Sequence, residues 1–274
     1  MFQNRILVIA TKHKKETVIA PLLEANLNVK CFVLKDFDTD SFGTFTGEIA
    51  RKDNAFETVR KKCLAAMAIS NCDLGIASEG SFGLHSTAFF ASANEEILLF
   101  IDLKNNLEIT TRIQTLNTNF NSSIIKSKTE LQLFAETCKF PSHGLILRSE
   151  NSELIVKGIT AWEELYEHFE ALKANYSDII VETDMRALYN PTRMKIIEKT
   201  TMQLIEKINS KCPNCNHPGF GIVEANKGLR CELCNNPTNS ILSYTYQCSN
   251  CNFKSEKAAS KKMEDPMYCN YCNP

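Results

Sequence analysis

The chain has 274 residues, of which 43% are hydrophobic and 23% are charged, and its formal net charge is -1 at pH 7. These values predict one sizeable folded core with a small appended module, and the near-neutral charge gives no general reason to expect binding to nucleic acid or to a membrane surface. The apolar run from Ile6 to Ala10 is too short for a secretory signal or a membrane span, so we expect a cytoplasmic protein with no membrane partner.

The first elements predict a site for an anionic group. Residues 5–10 are mostly aliphatic and predict a buried strand, which leads through Thr11 and three lysines into a helix. Backbone N–H groups and the helix dipole point towards such a turn, and Lys12, Lys14 and Lys15 add positive charge. A solvated cluster of lysines at a helix start explains the same residues equally well.

Strands and helices alternate up to residue 210, which predicts an α/β core. The two strands at 96–103 and 107–112 are separated by a short polar turn and predict a hairpin, so we expect a mixed sheet. The other predicted strands are 29–34, 74–77, 145–149 and 178–183, and the later helices are about 46–70, 128–138, 160–175 and 191–210. Two domains follow from this pattern, a core at 1–210 and a cysteine-rich module at 211–274.

A loop between the last predicted strand and helix of the core holds Asp184, Arg186 and Arg193. Asn190 followed by Pro191 is a strong helix start within it. Guanidinium groups in such a loop suit a phosphate or a carboxylate ligand. A structural Asp–Arg pair that braces the loop is an equally good interpretation.

The tail contains four Cys-x-x-Cys pairs. Two cysteines with two residues between them place both thiolates on one metal ion, and two such pairs complete a tetrahedral site. The tail therefore predicts a double zinc-ribbon module with two structural zinc ions. A disulfide framework is the alternative, and the expected reducing compartment argues against it. The predicted ligands are Cys212, Cys215, Cys231, Cys234, Cys248, Cys251, Cys269 and Cys272.

An asparagine follows each cysteine pair, at Asn216, Asn235, Asn252 and Asn273. Asparagine tolerates the left-handed backbone conformation better than most residues, so these positions predict four turns of one geometry. The spacing favours sequential pairing, in which the first pair joins the second and the third joins the fourth. Interleaved and nested pairings stay open, because the segment between the second and third pairs also has the pattern of a hairpin.

Two resemblances add to these predictions. The whole chain resembles an uncharacterised bacterial family with the same double zinc-ribbon tail, through the segments TDMRALYNPTRM and CELCNNPT and the closing CNP. The segments IATKHKKE, TGEIARKDNAFETVRKKC and CDLGIASEGSFG resemble the inosine/xanthosine triphosphate pyrophosphatase superfamily. This second resemblance implies a core of that fold and Mg²⁺-assisted hydrolysis of a nucleoside triphosphate to a monophosphate and pyrophosphate.

The resemblance to the pyrophosphatases also implies roles for particular residues. The carboxylates implied to bind Mg²⁺ are Glu48, Asp53 and Glu79. The residues implied to lie near the triphosphate are Thr11, Lys12, Lys14 and Lys15. The chain departs from the family pattern at His13, where asparagine is usual, and at Glu16, near which the family has a lysine.

Two hypotheses about function follow. In the first, the core binds or hydrolyses a nucleotide or another phosphorylated ligand, and the zinc ribbons are structural. In the second, the core is catalytically inactive and the ribbons bind nucleic acid or a protein. Residues 211–274 hold seven Lys and Arg against five Asp and Glu, and eight thiolates with two zinc ions add a charge of -4. Charge therefore does not support a nucleic-acid partner.

Overall fold

The computed structural model describes residues 1–35, 37, 54–84, 91–149 and 154–274. The chain divides into two compact units, Met1–Leu204 and Ile205–Pro274. In the described residues, no helix is both long and apolar enough to cross a membrane.

A five-stranded mixed sheet forms the first half of the larger unit. Its strands are β1 (Ile6–Ala10), β2 (Lys30–Val33), β3 (Leu74–Leu84), β4 (Ser92–Asp102) and β5 (Leu107–Thr115), in the order β2-β1-β3-β4-β5. The strands β1, β2 and β3 are parallel, whereas β3, β4 and β5 run antiparallel. The mixed α/β core and the hairpin at β4–β5 were both predicted from the sequence and are confirmed.

Two helices connect the parallel strands, α1 (Glu16–Leu27) and α2 (Ala55–Ser70). The strands β2 and β3 lie on opposite sides of β1, so right-handed crossovers place α1 and α2 on opposite faces of the sheet. The helix α2 packs through Val59 and Met67 on the face that carries Val8 and Ala77. It begins at Ala55 because the extended Asn54 caps its first turn, and residues 46–53 of the predicted helix lie outside the described residues.

The second half of this unit is a separate antiparallel sheet. Its strands are β6 (Ser122–Ile125), β7 (Leu145–Ser149), β8 (Ile155–Ile159) and β9 (Ile179–Thr183), in the order β6-β9-β7-β8. The helices α3 (Lys128–Thr137) and α4 (Trp162–Lys173) contribute Leu131, Leu165 and Phe169 to a core shared with Val181 of this sheet. The sequence pattern did not reveal the short strands β6 and β8, and therefore did not reveal a second sheet.

The helix α5 (Pro191–Asn209) begins in the larger unit, where the sequence predicted, and its last residues belong to the smaller unit. The Asn190 side chain accepts a 2.9 Å hydrogen bond from the Arg193 N–H, which satisfies one of the free donors of the first turn. His143 braces the same turn, since its Nε2 accepts from the Thr192 N–H and lies 2.9 Å from the Thr192 hydroxyl. Because Nε2 accepts this hydrogen bond, the ring is neutral and carries its proton on Nδ1. The Nδ1 atom lies 2.9 Å from the Ser142 hydroxyl.

The smaller unit holds a three-stranded antiparallel meander. Its strands are β10 (Gly221–Lys227), β11 (Ile241–Gln247) and β12 (Lys254–Ala258), in the order β10-β11-β12. Each Cys-x-x-Cys pair lies before, between or after these strands. The cysteine pairs are thus distributed between the two ends of one small sheet.

We predict that His143 makes the stability of the protein depend on pH below about 6.5. Burial, with a contribution from Lys139, lowers the pKa of His143 below its usual 6.5, so the unfolded chain takes up a proton before the folded protein does. The free energy of unfolding therefore decreases as the pH falls from 6.5 towards the folded pKa. The variant His143→Gln should lack this part of the decrease in urea titrations at pH 7.5, 6.5 and 5.5.

The matched control is His168→Gln, which removes a histidine from α4 without touching the turn at Thr192. An unchanged pH dependence in His143→Gln would contradict the assignment of a neutral, buried His143.

Candidate functional site

Eight cysteines of the smaller unit form two clusters of four sulfur atoms. Zinc site 1 consists of Cys212, Cys215, Cys248 and Cys251, and zinc site 2 consists of Cys231, Cys234, Cys269 and Cys272. Within each cluster the sulfur atoms lie within 4.8 Å of one another, and the closest pairs are 3.6–3.9 Å apart. A zinc–sulfur bond of about 2.3 Å places sulfur ligands about 3.8 Å apart at the corners of a tetrahedron. The two clusters therefore fit two zinc ions.

The cysteine pairs are interleaved, so the sequential pairing favoured by the spacing is wrong. The first pair joins the third, and the second joins the fourth. The reason is the meander, in which Gly221 pairs with Gln247 and Gln247 pairs with Lys254 at one end of the sheet. Successive strands reverse direction, so alternate connections lie at the same end. Each zinc site thus holds one end of the three strands together.

The asparagine after each pair closes the turn around the metal site. In all four turns its N–H donates to the carbonyl oxygen of the first cysteine of the pair, over 2.8–3.1 Å. Asn216, Asn235 and Asn252 have φ values of 61°, 59° and 57°, as the sequence predicted. Asn273 is not left-handed, because the following Pro274 restricts it to extended conformations.

In the larger unit, a pocket opens at the carboxyl end of β1. Its volume is about 480 Å³, and its lining residues are Thr11, Lys12, Lys14, Glu16, Val33, Leu34 and Phe37. Thr11 is only 5% exposed, and its hydroxyl has no hydrogen-bond partner among the described residues. A buried hydroxyl without a partner costs free energy unless a ligand or water satisfies it.

Lys15 lies next to this pocket and is buried at the start of α1. The residue is 7% exposed, and its Nζ donates a 2.9 Å hydrogen bond to the Ser78 hydroxyl on β3. Burial, reinforced by the positive charge of Arg193, lowers the pKa of Lys15 from 10.5 to about 7, against the opposing effects of Glu96 and Glu79. A lysine amine that changes its charge near neutral pH is typical of functional sites.

Two buried ion pairs flank Ser78 on the two faces of the sheet. Neighbouring residues of a strand point to opposite faces, so Glu79 points away from Ser78 and binds Lys62 of α2 over 2.5 Å. On the face of Ser78, Arg193 of α5 binds Glu96 of β4 over 2.5 Å, and both side chains are fully buried.

Gly80 makes room for the Arg193–Glu96 pair. A Cβ atom at Gly80 would collide with the Arg193 guanidinium and the Glu96 carboxylate. The guanidinium also donates to the Met185 carbonyl oxygen over 2.5 Å and lies 5.1 Å from the centre of the Phe82 ring.

The structure brings together only part of the set of residues predicted from the sequence. Thr11, Lys12 and Lys14 line the pocket, and Lys15 is buried beside it. The predicted carboxylates Glu48 and Asp53 lie outside the described residues.

The two predicted arginines have protein partners in the structure. Arg186 binds Asp184 through Nη2 over 2.6 Å and through Nε, which agrees with the structural interpretation of their loop. Arg193 binds Glu96 rather than Asp184. Sequence reasoning missed Lys62, Ser78 and Glu96. Of these, only Glu96 could have been noticed in the sequence, because it is a charged residue at the edge of the apolar run ILLFI.

The described residues do not supply a site for Mg²⁺. Glu79 and Glu96 are bound to Lys62 and Arg193, and no group of three acidic or histidine side chains converges within the described part of the chain. Mg²⁺ prefers several free oxygen ligands in near-octahedral geometry.

Comparison with known proteins identifies one family. No curated protein matches the chain. Nothing in the comparisons supports the resemblance to the inosine/xanthosine triphosphate pyrophosphatases, which stays a hypothesis. A family model does match residues 62–274, which include all eight zinc-site cysteines and the segment TDMRALYNPTRM. Because the match covers most of the sequence, the chain belongs to this family, which is described as Domain of unknown function (DUF6671).

Proposed function

We propose that the larger unit binds the phosphate groups of a nucleotide in the pocket at the carboxyl end of β1, and that the zinc sites are structural. The observation that carries this proposal is the buried Thr11 hydroxyl. Thr11 is one of the residues that line a pocket of about 480 Å³, and its hydroxyl has no partner among the described residues. A pocket of this size falls in the usual range for small-molecule sites.

The position of the pocket in the sheet supports a phosphorylated ligand. The chain leaves β1 through α1 to β2 on one side, and β3 lies on the other side of β1. Such a switch point leaves a crevice at the carboxyl ends of the strands, where α/β proteins bind ligands. The start of the twelve-residue helix α1 adds its dipole and backbone N–H groups, and no side chain caps it.

The charges beside the pocket also favour an anion. Among the described buried groups here, Lys15, Lys62 and Arg193 outnumber the two carboxylates Glu79 and Glu96. The group therefore has an excess positive charge when Lys15 is protonated. A phosphate bound near Lys15 would stabilise its ammonium form.

Hydrolysis of the nucleotide to a monophosphate and pyrophosphate is the reaction that the pyrophosphatase resemblance implies, and it is a second step of this proposal. Glu79, Glu48 and Asp53 are the carboxylates that the resemblance assigns to it. Glu79 is bound to Lys62 over 2.5 Å, so binding of a phosphorylated ligand is the better supported of the two steps.

The adaptor hypothesis has one observation in its favour. Leu233, Met267, Tyr268 and Tyr271 are all exposed in the smaller unit, close in sequence to ligands of zinc site 2. Exposed apolar side chains near one another favour contact with a partner molecule. Binding of a protein or single-stranded RNA by a chain that binds no nucleotide would support this second function.

We predict that replacing Lys15 stabilises the protein. The folded pKa of about 7 is below the unfolded value of 10.5, so the folded protein holds fewer protons between these values. The free energy of unfolding therefore decreases as the pH falls from 10.5 to 7, and the full cost is present below pH 7. Lys15→Met should increase the free energy of unfolding at pH 7 by about 4 kcal/mol in urea titrations.

The control Lys30→Met removes the same charge from an exposed position on β2 and should change stability by less than about 0.5 kcal/mol. A Lys15→Met variant that is less stable than the parent would show that Lys15 is a structural residue.

The proposed function predicts nucleotide binding that depends on Lys15. We expect calorimetry with common and deaminated nucleoside triphosphates to detect a ligand, and Lys15→Met to weaken it at least tenfold. Binding should strengthen from pH 8.5 to pH 6.5, because the ammonium form of Lys15 becomes populated. Lys15→Arg, whose charge is fixed, should lose this pH dependence.

Adding Mg²⁺ and measuring pyrophosphate release tests the second step separately. Binding without pyrophosphate release would leave a nucleotide-binding protein, whereas no binding by any triphosphate would contradict the proposed function itself.

Interleaved ligation predicts that each chain binds two zinc ions and that the smaller unit requires both ions to fold. Each ion holds one end of the β10–β11–β12 sheet, and metal binding supplies much of the folding free energy of such small modules. Metal analysis of the purified chain should give two equivalents of zinc, and removal by a chelator should abolish the amide-exchange protection of β10, β11 and β12. Protection that persists without zinc would contradict this structural role.

A further inference from the structure

The two zinc sites differ in how their sulfur ligands are hydrogen-bonded. In zinc site 1, the second residue between the two cysteines of each pair is an asparagine. The Asn214 amide donates to Cys251 Sγ over 3.5 Å, and the Asn250 amide donates to Cys215 Sγ over 3.6 Å. Each asparagine thus reaches across the site to the last cysteine of the other pair.

Zinc site 2 has no asparagine at these two positions. Leu233 and Tyr271 occupy them, and both side chains are mostly exposed, at 73% and 67%. Asn236 donates to Cys234 Sγ over 3.5 Å and partly replaces the missing contacts. Within residues 211–274, all of which the structure describes, no side-chain N–H donates to Cys272 Sγ.

Access does not distinguish the two sites, because their cysteines have the same burial pattern. In each pair the first cysteine is buried and the second is half-buried. The half-buried sulfurs are the ones that a small reagent meets first. Three of these four accept a side-chain amide N–H, and Cys272 is the exception.

An N–H donor withdraws electron density from a thiolate, and its absence leaves the sulfur more nucleophilic. The thiolate is also the form of cysteine that reacts with peroxides and electrophiles. Donors of this kind are a known way in which proteins tune metal-bound ligands from outside the coordination sphere. The difference at Cys272 is therefore a difference in reactivity.

We propose that zinc site 2 is an oxidation-sensitive site in which the Cys272 thiolate reacts first with a peroxide. Its sulfur attacks hydrogen peroxide, an S–O bond forms, the O–O bond breaks and hydroxide leaves. A second thiolate of the site then attacks the sulfenic acid, and Cys231 Sγ lies 3.9 Å away. An S–S bond forms, a second hydroxide leaves, and the zinc ion loses two ligands and is released.

The geometry supplies a matched pair of variants. Leu233 has the position in zinc site 2 that Asn214 has in zinc site 1, so Leu233→Asn places an amide where it can donate to Cys272 Sγ. The converse variant Asn214→Leu removes the donor to Cys251 Sγ. Both positions are exposed, so neither substitution disturbs a packed core.

The experiment treats the zinc-loaded full chain with hydrogen peroxide and follows released zinc with a coloured chelator, while mass spectrometry maps the oxidised cysteines. We expect one equivalent of zinc to leave roughly five- to tenfold faster than the other, the order expected for one missing hydrogen bond, with Cys272 oxidised first. Leu233→Asn should slow the fast phase by a similar factor, and Asn214→Leu should accelerate the slow phase.

Three results would overturn the proposal: equal release rates for the two ions, oxidation that begins at Cys215 or Cys251, or an unchanged fast phase in a Leu233→Asn variant that still holds two zinc ions. None of these results depends on nucleotide binding by the larger unit.

Discussion

Charge burial at the middle of β3 is the constraint on which the larger unit depends. Glu79 and Glu96 are almost fully shielded from water, and each is held by one cation from a different helix. Removing one partner of such a pair leaves an uncompensated buried charge, which typically costs about 3–5 kcal/mol. The pairs therefore fix α2 and α5 against the sheet at one place. Gly80 is required there, because any side chain would occupy the space of the Arg193 guanidinium.

Lys15 departs from this arrangement, and the departure points to a ligand. Among the described residues its closest partner is the Ser78 hydroxyl rather than a carboxylate, so within that part of the chain the amine is buried without a direct counter-charge. Burial then lowers its pKa to about 7, which means that the fold carries an electrostatic cost at this position. Proteins retain such costs where function requires them, and elsewhere an apolar side chain would serve the fold better. The neighbouring Thr11 hydroxyl has the same character, because it too is buried without a partner among the described residues.

The features that sequence reasoning recovered are those set by residues close together in the chain. The Asn190 cap, the hairpin at β4–β5 and three of the four asparagine turns each depend on a few neighbouring residues. The features that it missed depend on distant residues. Lys62 and Glu79 are 17 positions apart, and Glu96 and Arg193 are 97 positions apart, so no local sequence pattern predicts either ion pair. The second sheet was missed for a similar reason, since β6 and β8 are too short to show a clear alternation.

The cysteine pairing shows that spacing and topology are separate sources of information. Spacing identified the ligands, because two thiolates with two residues between them can bind one ion wherever they lie. The choice between pairs depends on the direction of the intervening strands, and a three-stranded meander brings alternate connections together. Once the pairs are placed, the residues inside them acquire different surroundings. The Asn214 side chain donates a hydrogen bond to Cys251 Sγ across zinc site 1, whereas the equivalent Leu233 is exposed to solvent. Four pairs with one spacing therefore form two sites whose sulfur atoms are hydrogen-bonded differently.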